Sequence, residues 1–192
     1  MRAAVAPGAS WDAFNALLAA GQPGNGGAIA FNIDAPEITP AIPRAGVRRF
    51  GPGGERVAAF APAVEARAVL EGQFLSMRVH GESIGITGAK RLIATGGASA
   101  NKAVLQVLAD VFGAPVFVSA QTDSASLGAA VRALQGAASA AKGAFVSMAE
   151  LRGGRATDLT LAASPAAGAA DVYARMLPAY KKAEAEVMAE RK

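Results

Sequence analysis

The segment RLIATGGASANKAVLQVLADVFG, residues 91–113, decides the fold of this chain of 192 residues. An apolar strand over residues 91–95 leads directly into Gly96 and Gly97, and apolar residues recur at helical spacing from Asn101 onward. Glycine allows a sharp backbone turn and places no β-carbon in the path of a ligand. Because backbone N–H groups at a helix start favour anions, such a junction is where α/β proteins hold nucleotides.

Periodic patterns continue on the amino-terminal side of this junction. Trp11, Phe14 and Leu17 begin a helical spacing that Ser10 can cap, and Pro62 suits the first turn of a long core helix. The elements predicted before the junction are a helix over 11–20, a strand over 28–33, a short strand over 57–60 and a helix over 62–83.

Another strand-helix unit and a carboxy-terminal helix follow the junction. The predicted elements are a strand over 115–119, a helix over 124–136, a short helix over 145–151, an exposed loop or linker over 152–164, and a last helix that starts at Ser164 and Pro165 and kinks at Pro178. Strands that alternate with helices at this spacing predict parallel pairing with right-handed crossovers. The pattern alone predicts an α/β fold with helices on a mixed sheet.

Composition excludes several classes of site. The chain has no cysteine and one histidine, which excludes disulfides and thiolate metal sites and leaves too few soft ligands for zinc. No apolar run reaches signal-peptide length or the roughly 20 residues of a membrane span. The sequence therefore predicts a soluble, cytoplasmic protein that does not bind a membrane.

The net charge of +4 raises the question of nucleic-acid binding. Arg44, Arg48, Arg49 and Arg56 lie close together, but prolines and glycines surround them, and Phe50 is the one aromatic residue among them. Nucleic-acid surfaces interleave basic and aromatic residues so that bases can stack. We therefore expect an exposed, solvated loop here and no nucleic-acid partner.

Further segments have the character of sequence landmarks and occur in a fixed order along the chain. They are SWD at 10–12, GNGG at 24–27, EITP at 37–40, VAAF at 57–60, EARAVLEGQ at 65–73, QVLADVF at 106–112 and SLGAA at 126–130. Together with residues 91–113 they resemble the carboxy-terminal lobe of the FGGY family of carbohydrate kinases, and within that family the xylulose kinases most closely. The resemblance covers nearly the whole chain and only that lobe.

The resemblance implies a ribonuclease-H-like lobe of the kind shared by actin, hexokinase and the sugar kinases, with a mixed sheet flanked by helices. It divides the chain into a lead-in helix and glycine-rich turn over 1–27, the ribonuclease-H-like domain over 28–151, and a linker with a carboxy-terminal helix over 152–192 that packs on the same domain.

The resemblance also implies where a nucleotide binds. In the family, ATP lies in the cleft between two lobes, and the carboxy-terminal lobe holds the adenosine. The matching cofactor-binding residues are Trp11, Gly96, Gly97, Ala98 and Asn101. The glycines and Ala98 form the turn against which the nucleotide lies, and the Asn101 amide faces the adenine. Trp11 either packs on the base or ribose, or simply anchors the first helix in the core.

The complete family member transfers the γ-phosphoryl group of ATP, with Mg²⁺, to a sugar, here D-xylulose, and yields xylulose 5-phosphate. The base and most sugar contacts belong to the amino-terminal lobe, so no catalytic residue or metal ligand is assigned to this chain. We expect it to be silent alone and to associate with a missing half. A stand-alone adenine-nucleotide-binding or regulatory module is the alternative, and glycerol, gluconate or ribulose stay open as substrates.

Several carboxylates invite a catalytic role that we do not assign. Glu71 lies on an apolar helix four residues after Arg67, which predicts a structural ion pair. Asp110 is expected to cap or solvate a surface, and Asp123 to start the helix at Ser124.

The stretch GESIG at residues 81–85 matches the G-x-S-x-G pattern of hydrolases. A nucleophile elbow requires a strand before the serine and a histidine later in the chain. A helix is predicted before Ser83, and His80 precedes it, so we expect no hydrolase site and place His80 on a helix face near the surface.

Overall fold

The computed structural model describes residues 8, 10–119, 123–153 and 158–190. Its helices are α1 (Trp11–Ala19), α2 (Pro62–Ser83), α3 (Lys102–Phe112), α4 (Ser124–Lys142), α5 (Met148–Arg152) and α6 (Ala169–Met188). Its strands are β1 (Ile29–Ile33), β2 (Gly46–Phe50), β3 (Leu92–Ala94), β4 (Val116–Ser119) and β5 (Leu159–Ala163). Single 3-10 turns cover Asn25–Gly27 and Gly97–Ala100.

The strands form two sheets. β1 and β2 pair antiparallel, whereas the second sheet has the order β3-β4-β5. β3 and β4 are parallel and are joined through α3, as the alternating pattern predicts, but β5 runs antiparallel to β4. The loop or linker expected over 152–164 was therefore wrong for Leu159–Ala163, whose backbone pairs with β4. A short strand of this kind is decided by its pairing partner, which local sequence does not reveal.

Helix α2 is the centre of the packing, as expected for its long apolar face. It is buried on nearly all sides between Ala66 and Gly72, where it lies against β1 and α1. Gly72 allows the helix to contact the β1 backbone directly. The main core cluster joins α1, both strands of the first sheet, α2, α3 and α6, and its most deeply buried large side chains include Phe14, Leu18, Ile42, Phe50, Leu70, Leu75, Tyr173 and Tyr180.

The arginine-rich stretch was expected to be a solvated loop, which is wrong for Arg48 and Arg49, because both lie in β2. Arg48 in β2 is only 8% exposed, and its guanidinium forms an ion pair with Glu190, two residues after the end of α6. Arg56 bonds Glu190 at 2.9 Å and stacks over Phe50, with 4.6 Å between the guanidinium carbon and the ring centre. The carboxylate lies 142 positions from Arg48, so the sequence could not indicate this burial.

Residues 57–60 form no strand, which corrects that expectation. The contact with β2 is limited to the start of this stretch. Arg56, the residue before it, forms an isolated β-bridge with Phe50, and the Val57 N–H donates to the Arg49 carbonyl at 3.0 Å. Arg49 also forms an ion pair with Glu65 on α2, with 2.7 Å between Nε and Oε2. This stretch is therefore tied to the body by an ion pair and by backbone bonds.

The last helix begins later than the Ser-Pro pair suggested. α6 starts at Ala169 after Gly168, which has a left-handed φ of 75°. Asp110 explains the intervening turn, because its carboxylate accepts from the Ala166 N–H at 2.7 Å and from the Gln106 amide at 2.9 Å. Asp110 is 3% exposed, so the prediction of a surface carboxylate was wrong, although it does cap backbone.

One face of the second sheet carries exposed apolar side chains. Ile93, Phe117 and Leu161 occupy adjacent register positions across the three strands, on the face opposite the α3 contact. Ile93 is 51% and Leu161 53% exposed. β3 also has no strand neighbour on its outer edge among the described residues. Parallel strand pairs are normally covered on both faces, so this face has the character of a contact surface.

None of the helices in the described part of the chain combines the length and apolar character that crossing a bilayer requires.

Candidate functional site

The turn between β3 and α3 is built around a backbone conformation that only glycine adopts easily. Gly96 has φ 79° and ψ −172°, and the 3-10 turn begins at Gly97. Ser99 stabilises the turn through its hydroxyl, which donates to the Gly96 carbonyl at 2.6 Å. The Asn101 N–H donates to the Ala98 carbonyl at 3.1 Å. The strand-glycine-helix junction inferred from the sequence is therefore present.

The outer surface of this turn is open. A β-carbon added at Gly96 or Gly97 would meet no heavy atom within 4 Å, and both glycines and Ala98 are exposed. A flat ligand can therefore approach the backbone of the turn without displacing a side chain. The site residues fit a nucleotide in this respect.

Asn101 has a structural task that the sequence pattern only partly indicated. Its Oδ1 accepts from the Ala103 and Val104 N–H groups at 3.0 and 3.2 Å and so caps α3. Its Nδ2 donates to Oδ1 of Asn15 on α1 at 2.8 Å. One amide hydrogen is left over after these bonds. Contact between Asn101 and adenine stays a prediction, and Asn15 is a neighbour that sequence reasoning missed.

Trp11 lies one helical turn before Asn15 on α1, so α1 brings both residues to the side of the chain where Asn101 begins α3. The Trp11 ring packs edge-on against Phe14, with 5.9 Å between ring centres, and is half exposed. Phe14 is fully buried. Trp11 therefore has a packing role on one side of its ring, while the exposed part leaves room for the predicted nucleotide contact.

A buried polar network links α2 to the chain segments around it. Glu71 and Arg67 form the expected ion pair, at 2.6 Å, and both are almost fully buried. The same Glu71 Oε1 accepts from the Tyr173 hydroxyl at 2.6 Å and from the Gly24 N–H at 3.1 Å. Arg67 donates onward to the Leu18 carbonyl at 3.2 Å. The network thus joins α1, the glycine turn, α2 and α6.

Burial raises the pKa of Glu71, and the bonds from Tyr173 and Arg67 offset part of this shift. Its Oε2 is buried without a hydrogen-bond partner. Tyr173 and Gly24 were missed from the sequence, because nothing local marks a tyrosine 102 positions away as the partner of a carboxylate. The network is a structural one and contains no exposed group.

The remaining carboxylate, serine and histidine candidates have structural roles at helix ends or on a helix face. The Asp123 carboxylate caps α4 by accepting from the Ser126 N–H at 3.1 Å, and hydrogen bonding to Ser126 lowers its pKa. Ser83 is the last residue of α2, as the argument against a nucleophile elbow required, and its hydroxyl donates to the His80 carbonyl at 2.7 Å. His80 lies on a half-buried helix face, with Nε2 3.1 Å from Glu184 Oε1.

Comparison with known proteins agrees with this architecture. Residues 3–137 match the family described as the FGGY family of carbohydrate kinases, C-terminal domain. The xylulose kinase of Rattus norvegicus is 44% identical over 181 residues, which cover 93% of this chain and 33% of that protein. The chain therefore spans about a third of the length of the curated relatives it matches.

Solved structures share the fold. The ligand-bound xylulose kinase of Lactobacillus acidophilus superimposes with a TM-score of 0.74 at 20% identity, over 98% of this chain and 37% of that one. The gluconate kinase of Lactobacillus acidophilus gives 0.69 at 20% identity, over 93% and 35%. The predicted ribonuclease-H-like sugar-kinase fold is thereby confirmed. With the family match extending over most of the chain, this protein belongs to the FGGY family of carbohydrate kinases and carries its carboxy-terminal domain.

Proposed function

We propose that this chain is the ATP-binding half of a sugar kinase of the xylulose kinase type. The complete protein would transfer the γ-phosphoryl group of ATP to D-xylulose and release ADP and D-xylulose 5-phosphate in the cytoplasm. The observation that carries the proposal is the 44% identity to a xylulose kinase across 93% of the chain. Identity at that level supports shared chemistry as well as a shared fold.

The nucleotide would lie against the turn at Gly96, Gly97 and Ala98, with Trp11 and Asn101 beside it. The open space over both glycines supports this, because a bound base needs close approach to backbone. When bound, ATP supplies the phosphoryl group, and Mg²⁺ would accompany its phosphates. This chain's own part is to bind and orient the adenosine, a positioning role on which phosphoryl transfer depends strongly.

Catalysis would require the rest of a longer kinase, which carries the base and most sugar contacts. The exposed Ile93 and Leu161, with the half-buried Phe117 between them, and the open edge of β3 support a contact with such a partner. The arginines of β2 and Arg56 are engaged with carboxylates, which supports the expectation that nucleic acid is not a partner. The three proposed domain ranges, with the carboxy-terminal helix packed on the central domain, remain part of this proposal.

The test is a calorimetric titration of the chain with ADP, with and without Mg²⁺. We expect binding by the native chain and its loss in Gly97→Val, whose branched side chain would occupy the open face of the turn. Gly136→Val is the matched control, because Gly136 also has no heavy atom near its β-carbon position but lies on α4. No heat with ADP, or equal affinity in Gly97→Val, would refute the nucleotide site.

Activity is tested separately with a coupled assay for ADP release. The chain alone should give no turnover with D-xylulose, and a longer polypeptide that restores the length of the relatives should give it. Glycerol, gluconate and ribulose belong in the same assay. Turnover only with one of these three compounds would leave the kinase proposal standing and overturn the xylulose assignment, whereas nucleotide binding without any turnover would favour a regulatory module.

A further inference from the structure

We propose a second small-molecule site in this chain, one that takes an aliphatic amine with a positive charge at each end. The site is a half-open cavity of about 480 Å³ lined by β1, the loop that follows it, α2 and α6. None of the five residues predicted to bind the nucleotide lines this cavity. The inference is therefore independent of the nucleotide site.

The walls of the cavity are already formed. The loop after β1 is closed by two backbone bonds, from Glu37 N–H to the Ile42 carbonyl at 2.9 Å and from Ile42 N–H to the Glu37 carbonyl at 3.1 Å. The Ile42 side chain is 2% exposed and fastens the loop to the core. Phe31 and Val69 add apolar surface from β1 and α2. A ligand would therefore meet a preformed pocket whose lining is partly apolar and partly polar.

The cavity is also lined by a largely buried carboxylate, whose hydrogen bonds from the protein all reach one of its two oxygens. The Glu184 side chain is 7% exposed. Its Oε1 accepts from Tyr180 Oη at 3.1 Å and Ser76 Oγ at 3.4 Å, and lies 3.1 Å from His80 Nε2. All of these bonds reach the same oxygen, and no described residue donates to Oε2. A buried carboxylate gains most from a charged donor, which an entering ammonium group would supply.

The charge around the cavity is negative. Asp34 and Glu37 contribute carboxylates from the loop and Glu184 contributes one from α6, whereas the other titratable groups, Tyr180 and His80, carry no negative charge. Of the described residues that line it, none is a lysine or an arginine, although the whole chain has a net charge of +4. A local excess of one sign in a concave site attracts ligands of the opposite sign. The ligand should therefore be a cation.

The arrangement of the carboxylates favours an extended organic cation over a metal ion. Within the described ranges, His, Cys, Asp and Glu side chains form no group of three that could hold a metal. Glu184 is buried, whereas Asp34 and Glu37 are exposed at the mouth. A diamine could place one ammonium group on Glu184 and the other at the mouth, with its methylene chain against Phe31 and Val69.

The experiment is a calorimetric titration of the full chain with 1,4-diaminobutane, compared with butane-1,4-diol and butylamine at equal ionic strength. We expect the diamine to bind at least about tenfold more tightly than the diol, as one hydrogen bond to a charged group implies, with butylamine between them. Raising the salt concentration should weaken binding of the diamine and of butylamine and leave binding of the diol unchanged. Equal binding of the diol, or no binding of the diamine, would overturn the proposal.

Variants locate the binding. Glu184→Gln should weaken the diamine about tenfold, and Glu37→Gln, which alters an exposed group at the mouth, should weaken it by a smaller factor. Asp171→Asn is the control, because it neutralises an exposed carboxylate on the same helix outside the cavity. If Glu184→Gln fails to fold, the diamine affinity of Glu37→Gln decides whether the diamine binds in this cavity. Unchanged affinity in Glu37→Gln, or a loss as large in Asp171→Asn, would place the diamine elsewhere and refute the site.

Discussion

Gly72 on α2 lies directly against the backbone carbonyl of Ala30 on β1. A β-carbon at Gly72 would sit 2.1 Å from that carbonyl oxygen, well inside van der Waals contact. The contact allows α2 to pack closely on β1, and the cavity that holds Glu184 opens beside it. One glycine therefore sets the spacing between the central helix and the first sheet.

Replacing Gly72 by alanine should destabilise the protein by about 1–3 kcal/mol, because the helix or the strand must move to admit the methyl group. Gly81→Ala is the matched control on the same helix, where the nearest heavy atom is 3.9 Å away. That change should stabilise by about 0.5–1 kcal/mol through helix propensity. Urea unfolding measures both, and effects of the same sign would contradict the packing argument.

Two Arg-Glu pairs at the same helical spacing on α2 should differ greatly in their contribution to stability. Glu71→Gln leaves the buried Arg67 without its counter-charge and should cost about 3–5 kcal/mol. Glu82→Gln breaks the pair with Arg78, whose side chains are 19% and 28% exposed, and should change the free energy of unfolding by less than about 1 kcal/mol. Similar losses for the two variants would show that burial does not distinguish them.

A contact between Asn101 and the nucleotide can be tested separately from the role of Asn101 as the N-cap of α3. Asn101→Asp should retain the cap of α3, since the two residues are equivalent N-caps, whereas Asn101→Ala should lose about 1 kcal/mol of stability. If Asn101 contacts adenine, both variants should weaken ADP binding. Trp11 is the single tryptophan of the chain, so its fluorescence can follow the titration. ADP affinity in Asn101→Asp equal to that of the native chain would restrict Asn101 to capping.

The ion pair between Arg48 and Glu190 predicts a specific acid dependence. Hydrogen bonding from Arg48 lowers the pKa of Glu190 below its ordinary value of 4.5. Because the folded pKa is the lower one, the stability from this pair is complete above about pH 4.5 and is lost as the pH falls through the folded pKa. Glu190→Gln should therefore be less stable than the native chain at pH 7.

The difference between Glu190→Gln and the native chain should shrink below pH 4.5 and vanish once Glu190 is protonated. Thermal unfolding from pH 7 down to pH 3 measures it. Glu186→Gln is the control, because its ion pair with Arg56 is about half exposed and should contribute little at any pH. A constant difference between Glu190→Gln and the native chain at all pH values would mean that the variant acts through packing.

Local patterns predicted much of the fold and part of the site. The junction at Gly96, the cap at Ser10 and the pair of Arg67 with Glu71 all depend on residues within a few positions of one another, and all are present. The errors concern long-range contacts. The local sequence of β5 predicts a loop, but its backbone pairs with β4. The local sequence around Asp110 predicts a surface carboxylate, but its side chain accepts a hydrogen bond from the Ala166 N–H.

The sequence by itself determined the strand-glycine-helix junction, the central helix and the family, because each depends on residue types in a fixed local order. Only the tertiary structure decided that Arg48 is buried against Glu190, that Tyr173 donates to Glu71, and that Glu184 faces a cavity with one oxygen unbonded. These relationships join residues roughly a hundred positions apart or more. Their free energy depends on desolvation and geometry at the contact, which the order of residues along the chain does not encode locally.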